Sequence, residues 1–174
     1  MRHFKQIMFS VMVGSLLIFT SCSNNDDGDG GTSSGGDEFL TVKIDGTDFA
    51  ASKDPASLIG AVVNSGVLAV QGSTNDGKYV RINIINYSGV GTYKTGDAIT
   101  NANMMMYGEV LTDPTVGWIS NGIVTLGNSA ATGTVTVTSD DGSVIEGTFV
   151  FTGYNGNDMT TKSFTEGKFK ASID

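Results

Sequence analysis

Histidine, cysteine, proline and tryptophan are almost missing from this sequence of 174 residues, which holds one His, one Cys, two Pro and one Trp. The only imidazole is His3, at the very start of the chain. Ser-His-Asp and Cys-His relays and His-rich zinc sites are therefore excluded from everything after it. A single cysteine cannot build an internal disulfide framework. Positive charge is scarce too: ten Lys and Arg stand against eighteen Asp and Glu, a formal charge of −8. That argues against nucleic acid as a partner, because phosphate binding needs clustered basic side chains. A phosphate-cradling glycine loop and a dinucleotide fingerprint are both missing. The nearest approach, Ser88-Gly89-Val90-Gly91, reads as a loop between strands and opens no helix. No cofactor and no metal are expected.

What is there begins with an address. Residues 1–6 carry Arg2 and Lys5, residues 7–20 are uncharged and largely apolar, and Ser21-Cys22 follows. This is the layout of a secretory signal. The apolar run, about 14 residues, is shorter than the roughly 20 that a spanning helix needs. Phe19-Thr20-Ser21-Cys22 resembles a lipobox, with Phe19 where that pattern prefers Leu. The resemblance implies cleavage after residue 21 and lipidation of Cys22, which would hold the protein at a membrane without spanning it. Losing residues 1–21 removes Arg2 and Lys5 and takes the charge from −8 to −10.

Residues 23–38 contain no large apolar side chain and cannot bury enough surface to offset the entropy of ordering, so residues 22–38 read as a lipidated Cys and a flexible acidic, Gly/Ser-rich tether. Its start, Asn24-Asn25-Asp26-Asp27, resembles the export signal that sends Bacteroidota lipoproteins to the outer face of the outer membrane. The expected location is the outer membrane, lipid-anchored and facing the cell exterior. Asn25, Asp27, Asp29 and Gly30 fit the opening of an EF-hand loop, but position 12 is Gly36 where a bidentate Glu is required. A calcium site is not expected there.

From residue 39 the hydrophobic period is two. Leu40, Val42 and Ile44 alternate with Thr41, Lys43 and Asp45; Val80, Ile82 and Ile84 alternate with Tyr79, Arg81 and Asn83. Val135 and Val137 sit among threonines, Ile145, Phe149 and Phe151 share a face, and Phe169, Ala171 and Ile173 alternate with Lys168, Lys170 and Ser172. Asp45-Gly46, Asn64-Ser65-Gly66, Asp76-Gly77 and Asp141-Gly142 supply residues that tolerate hairpin turns. A short helical turn is expected near Asp54-Pro55-Ala56-Ser57. Residues 39–174 are thus predicted to form one antiparallel all-β domain, a β-sandwich or flattened β-barrel of about nine or ten strands. Its last strand should be paired, since Phe169 and Ile173 would otherwise be exposed.

The segments FLTVKIDGTDFAAS, GVGTYKTGD and IEGTFVFTGYNGNDMTTKSFTEGKFKASID resemble a family of small Bacteroidota lipoproteins of unknown function, in which a "GTF-F" strand and a terminal "T-GKF-A-I" strand recur. The shared motifs are turn glycines and core aromatics, so the resemblance implies an address and a fold and no activity.

The chemistry left to the domain is that of carboxylates and aromatics. A glycoside hydrolase needs two carboxyl groups roughly 5–10 Å apart. Glu109, Glu146, Glu166, Asp97 and Asp113 are available, with no spacing that singles out a pair, and Asp140-Asp141 belongs to a turn. The sole tryptophan, Trp118, is a stacking surface for a sugar or, more commonly, a core residue. In Met104-Met105-Met106-Tyr107, Met105 must point away from its neighbours. It is either core or, with Trp118 and Tyr107, part of an adaptable contact surface for a ligand or partner. The leading expectation is a non-enzymatic, surface-anchored module that contacts a glycan, another macromolecule or an envelope protein. The alternatives are an enzyme using a carboxylate pair on polysaccharide, or a small barrel with an apolar ligand in a lumen lined by Met104, Met106 and Phe149.

Overall fold

Strict apolar/polar alternation gives this chain its strands, and tight turns give them their order. The computed structural model describes residues 38–53, 57–113 and 116–174. The leader, Cys22, the tether with its Asn25–Gly36 loop, and residues 54–56 of the expected helical turn lie outside the described residues.

The elements are β1 (Phe39–Ile44), β2 (Thr47–Ala50), β3 (Ile59–Asn64), β4 (Val67–Ser73), β5 (Tyr79–Ile85), β6 (Gly91–Thr95), β7 (Met104–Gly108), β8 (Gly117–Ser120), β9 (Gly133–Asp140), β10 (Val144–Asn155) and β11 (Thr160–Ser172), with one 3-10 turn at Val124–Leu126. Eleven strands exceed the nine or ten that periodicity predicts. Two of them, β2 and β8, span only four residues and are too short for alternation to register. Among the described residues no helix is long and apolar enough to cross a membrane.

The strands form one antiparallel sheet ordered β2-β1-β11-β10-β8-β7-β5-β4-β3, curled into a half-barrel. It branches at β10, whose Ile145–Phe151 stretch pairs with β9 while Tyr154 pairs with Ile119 of β8; β9 in turn pairs with β6. The far edge curls back, so that the Asp174 amide donates to the Ala61 carbonyl of β3 at 3.0 Å. As expected, the last strand is paired on both sides, with β1 and β10. Glu38, counted with the tether in the sequence, already belongs to the domain: its carboxylate accepts from the Ser172 amide at 3.1 Å and the Ser57 hydroxyl at 2.7 Å.

Hairpin chemistry matches the turns. Asp45 and Gly46 have φ of 49° and 85°, Ser65 and Gly66 50° and 77°, the paired left-handed conformation that suits the twist of a two-residue hairpin.

The motif glycines face aromatics. Gly147 lies directly opposite Phe169, and Phe149 directly opposite Gly167. The GTF segment of β10 and the GKF segment of β11 are therefore reciprocal: each ring lies over the other strand's glycine, which covers backbone that would otherwise be bare. Between them Thr148 faces Lys168 on the outer side.

Strand β11 also carries a bulge. From Phe149↔Gly167 to Phe151↔Phe164 the pairing advances two residues on β10 and three on β11, and β1 shows the same shift between Thr41 and Lys43. Glu166 takes the left-handed conformation there, φ 56°, which is uncommon for a residue with a side chain. The extra residue changes the parity of β11, as a bulge does. Phe164 is thereby turned inward on the same face as Gly167, Phe169 and Ala171, and its ring stacks on Phe151 at 3.9 Å and 3°. Phe149, Phe164 and Phe169, with Leu40, Leu68, Ile82, Ile84 and Met105, form the buried interior.

Candidate functional site

On β5 the apolar set Val80, Ile82 and Ile84 is fully buried, so Tyr79, Arg81 and Asn83 must stand on the outer face. Register then assembles a row across four strands: Gly60 of β3, Gln71 of β4, Arg81 of β5 and Met106 of β7 lie side by side. The next row holds Val62, Ala69, Asn83 and Met104. Gly60 and Ala69 leave the floor low, while Leu58, Thr74, Asn75 and Leu111 rise from the adjoining loops. The result is an open groove of about 780 Å³ over β3–β5, with Asp174 at one rim.

Arg81 sits in the floor of this groove with its guanidinium held in one orientation. Nε donates to the Gln71 side-chain oxygen at 2.9 Å and Nη2 donates to the same atom. The Gln71 amide nitrogen donates to the Ser73 hydroxyl at 3.1 Å, which keeps that oxygen pointed at Arg81. The guanidinium also lies 5.7 Å from the centre of the Tyr79 ring, within cation–π range. All of these partners are neutral. Among the described residues no carboxylate forms an ion pair with Arg81.

The sequence singled out Trp118, Tyr107 and Met105. The structure brings the first two together: Tyr107 stacks on Trp118 at 5.9 Å and 30° and also meets Phe49 and Phe164. All three lie in the interior, Met105 completely so. Of the methionine run it is Met104 and Met106 that face outward, and Met106 is covered there, accepting the Tyr79 hydroxyl at 3.6 Å. Periodicity sets Met105 against its neighbours, and only the sheet decides which side is the core. The Trp118 indole donates to the Thr160 hydroxyl at 2.9 Å, and Lys162 lies 4.3 Å over its ring.

Tyr107 does reach a second, smaller cavity of about 470 Å³ at the end of the half-barrel, rimmed by Asp45, Asp48, Asp76, Lys78 and Lys162. Burial, helped by the negative charges of Glu109 and Asp76, pushes its hydroxyl up to about 12. Tyr87 is also raised, first by burial and then by its 2.6 Å hydrogen bond to Asp140. A group whose ionisation is raised in the folded state contributes stability that is complete below the unfolded value, near 10, and lost as pH rises through the folded one. The melting temperature is therefore expected to fall between about pH 10 and 12, and Tyr107→Phe should flatten that fall. Thermal melts paired with tyrosinate absorbance at each pH check this; an identical slope in the variant would refute it.

The glutamates considered for a catalytic pair are scattered. Glu109, just past the end of β7, meets Lys162 at 3.8 Å, Glu146 meets Lys170 at 2.8 Å and Glu166 meets Lys43 at 2.9 Å, all at accessible positions. Met104 and Met106 face outward and Phe149 inward, so the three do not line one lumen. Arg81 does not stand out in the sequence as a site residue, because an outward arginine on a strand is ordinary. The available signal was that it is the only arginine after Arg2, alternating outward across from Gln71.

Residues 37–171 match the family described as a domain of unknown function, DUF6252, and the chain belongs to that family. No curated protein and no solved structure matches it.

Proposed function

We propose that this member of the DUF6252 family is a non-enzymatic binding module, lipid-anchored through Cys22 in the outer membrane and turned toward the cell exterior, and that it binds its ligand in the groove over β3–β5. The order of signal, lipobox-like Cys22 and polar tether supports the address. The groove supports the binding role, and one observation carries it: a guanidinium fixed in orientation at the bottom of an open, largely apolar recess, with only neutral partners. Sites that recognise small molecules have this make-up, apolar walls around a few fixed polar groups. The lysine-paired, dispersed glutamates weigh against the polysaccharide-cleaving alternative, and the aromatic-filled interior weighs against a ligand-carrying lumen.

A thermal-shift panel of glycans and fatty acids on the purified protein tests this reading. A ligand at about 100 times its Kd adds about 2.7 kcal/mol, enough to raise the melting temperature by several degrees. Ala69→Trp, which fills the floor of the groove, is expected to abolish the shift. A shift undiminished in that variant would move binding elsewhere. Cleavage of a polymeric glycan, lost in Glu109→Gln, Glu146→Gln or Glu166→Gln, would overturn the non-enzymatic reading.

A further inference from the structure

We infer that the free edge of the Arg81 guanidinium receives the carboxylate of a small amphiphilic acid whose apolar body lies along the groove; the inference rests on the groove being the binding site. Gln71 occupies Nε and one N–H of Nη2. Among the described residues Nη1 has no protein partner, so Nη1 and the remaining N–H of Nη2 form a two-pronged donor edge. Guanidinium prongs match the two oxygens of a planar carboxylate, and charged hydrogen bonds of this kind are stronger than neutral ones.

The charge of the site selects among anions. Among the described residues Arg81 is the one cation lining the groove, Asp174 stands at its rim, and the chain as a whole carries −8. A phosphate dianion would meet one cation against this background, whereas a carboxylate carries a single charge and is neutralised by that single partner. The walls select the rest of the molecule. Leu58, Val62 and Leu111 line the groove with 39%, 46% and 49% of their surface exposed. Over the low floor at Gly60 and Ala69 they offer a strip that an aliphatic chain would cover. Burying that strip is favourable at about 25 cal/mol per Å² of apolar surface.

Such a head and body occur in a fatty acid and in the C-terminus of an apolar peptide. Decanoate probes the first source and N-acetyl-leucyl-leucine the second, each titrated into the purified protein at pH 8 with decanol as the uncharged control. Binding of either acid, without comparable binding of decanol, is expected. Arg81→Gln should weaken it about ten- to a hundredfold, the worth of a charged hydrogen-bonded pair. Arg81→Lys keeps the charge and loses the fork, so it should bind about tenfold more weakly; it serves where the glutamine variant melts early. Equal binding of decanol, unchanged affinity in folded Arg81→Gln or in Arg81→Lys, or no binding of either acid would each overturn the inference. Loss of another ligand's binding in Ala69→Trp alongside such a result would leave the groove as the site and remove only its carboxylate specificity. Acid binding that survives Ala69→Trp would remove both readings.

Discussion

Replacing Gly147 by valine is expected to destabilise the domain by about 3 kcal/mol, and Gly167→Val by a similar amount. A Cβ on Gly147 would stand 2.5 Å from the Phe169 ring and 2.5 Å from the Thr136 carbonyl oxygen. On Gly167 it would meet the Phe149 carbonyl at 2.5 Å and its ring at 2.7 Å. In each case one obstacle is backbone, which cannot rotate away, and the other is a ring packed in the core. Urea unfolding curves measure the loss. Thr148→Val, one residue from Gly147 and on the outer face, should change stability by no more than about 0.5 kcal/mol. If Gly147→Val proved as mild as Thr148→Val, the reciprocal glycine–phenylalanine pairing would not be what holds β10 against β11.

The second large effect belongs to Phe164. Phe164→Ala is expected to cost about 3–5 kcal/mol, the range for emptying an aromatic site in a core. The ring is almost completely buried, stacked on Phe151 and touching Tyr107. The bulge keeps it there by absorbing one residue, so deleting Glu166 should remove the bulge, leave Phe164 inward and cost far less than Phe164→Ala. Without Glu166 the pairs Phe149↔Gly167, Phe151↔Phe164 and Ile44↔Phe164 fall in plain register, with Phe164 and Gly167 two residues apart and both inward. Glu166→Ala keeps the residue count and removes only the exposed pair with Lys43, so it should cost less than about 1 kcal/mol. A deletion as damaging as Phe164→Ala would show that the bulge does more than absorb the extra residue between Phe164 and Gly167.

Much of the fold was legible in local pattern. The inward residues of β1, β5, β9 and β10 follow from alternation alone. So do the turns at Asp45-Gly46 and Asn64-Ser65-Gly66, whose residues adopt the left-handed backbone that turn residues tolerate. The GTF and GKF segments were recognisable as strings, but their relation was not, because which glycine meets which ring is a matter of register between strands. The aromatic candidates Trp118 and Tyr107 were visible as a pair near one another in sequence. Their burial was not, since β8 is too short to show a period. The groove was the least legible feature. It arises from Gly60, Gln71 and Arg81, separated in the chain and aligned only by two hairpins.

By itself, then, the amino-acid order determined that residues 39–174 make antiparallel strands, where most of them turn, and which side chains on each share a face. Those properties depend on neighbours two to four residues apart, and steric preference settles them locally. Tertiary structure alone decided the parity change at Glu166, the inward side of Met105, and the gathering of a fixed guanidinium with low-lying and apolar neighbours in one groove. Each of these needs strands distant in sequence to be set beside one another. The balance that sets them, core burial against strain at a single left-handed residue, is a property of the whole sheet rather than of any segment.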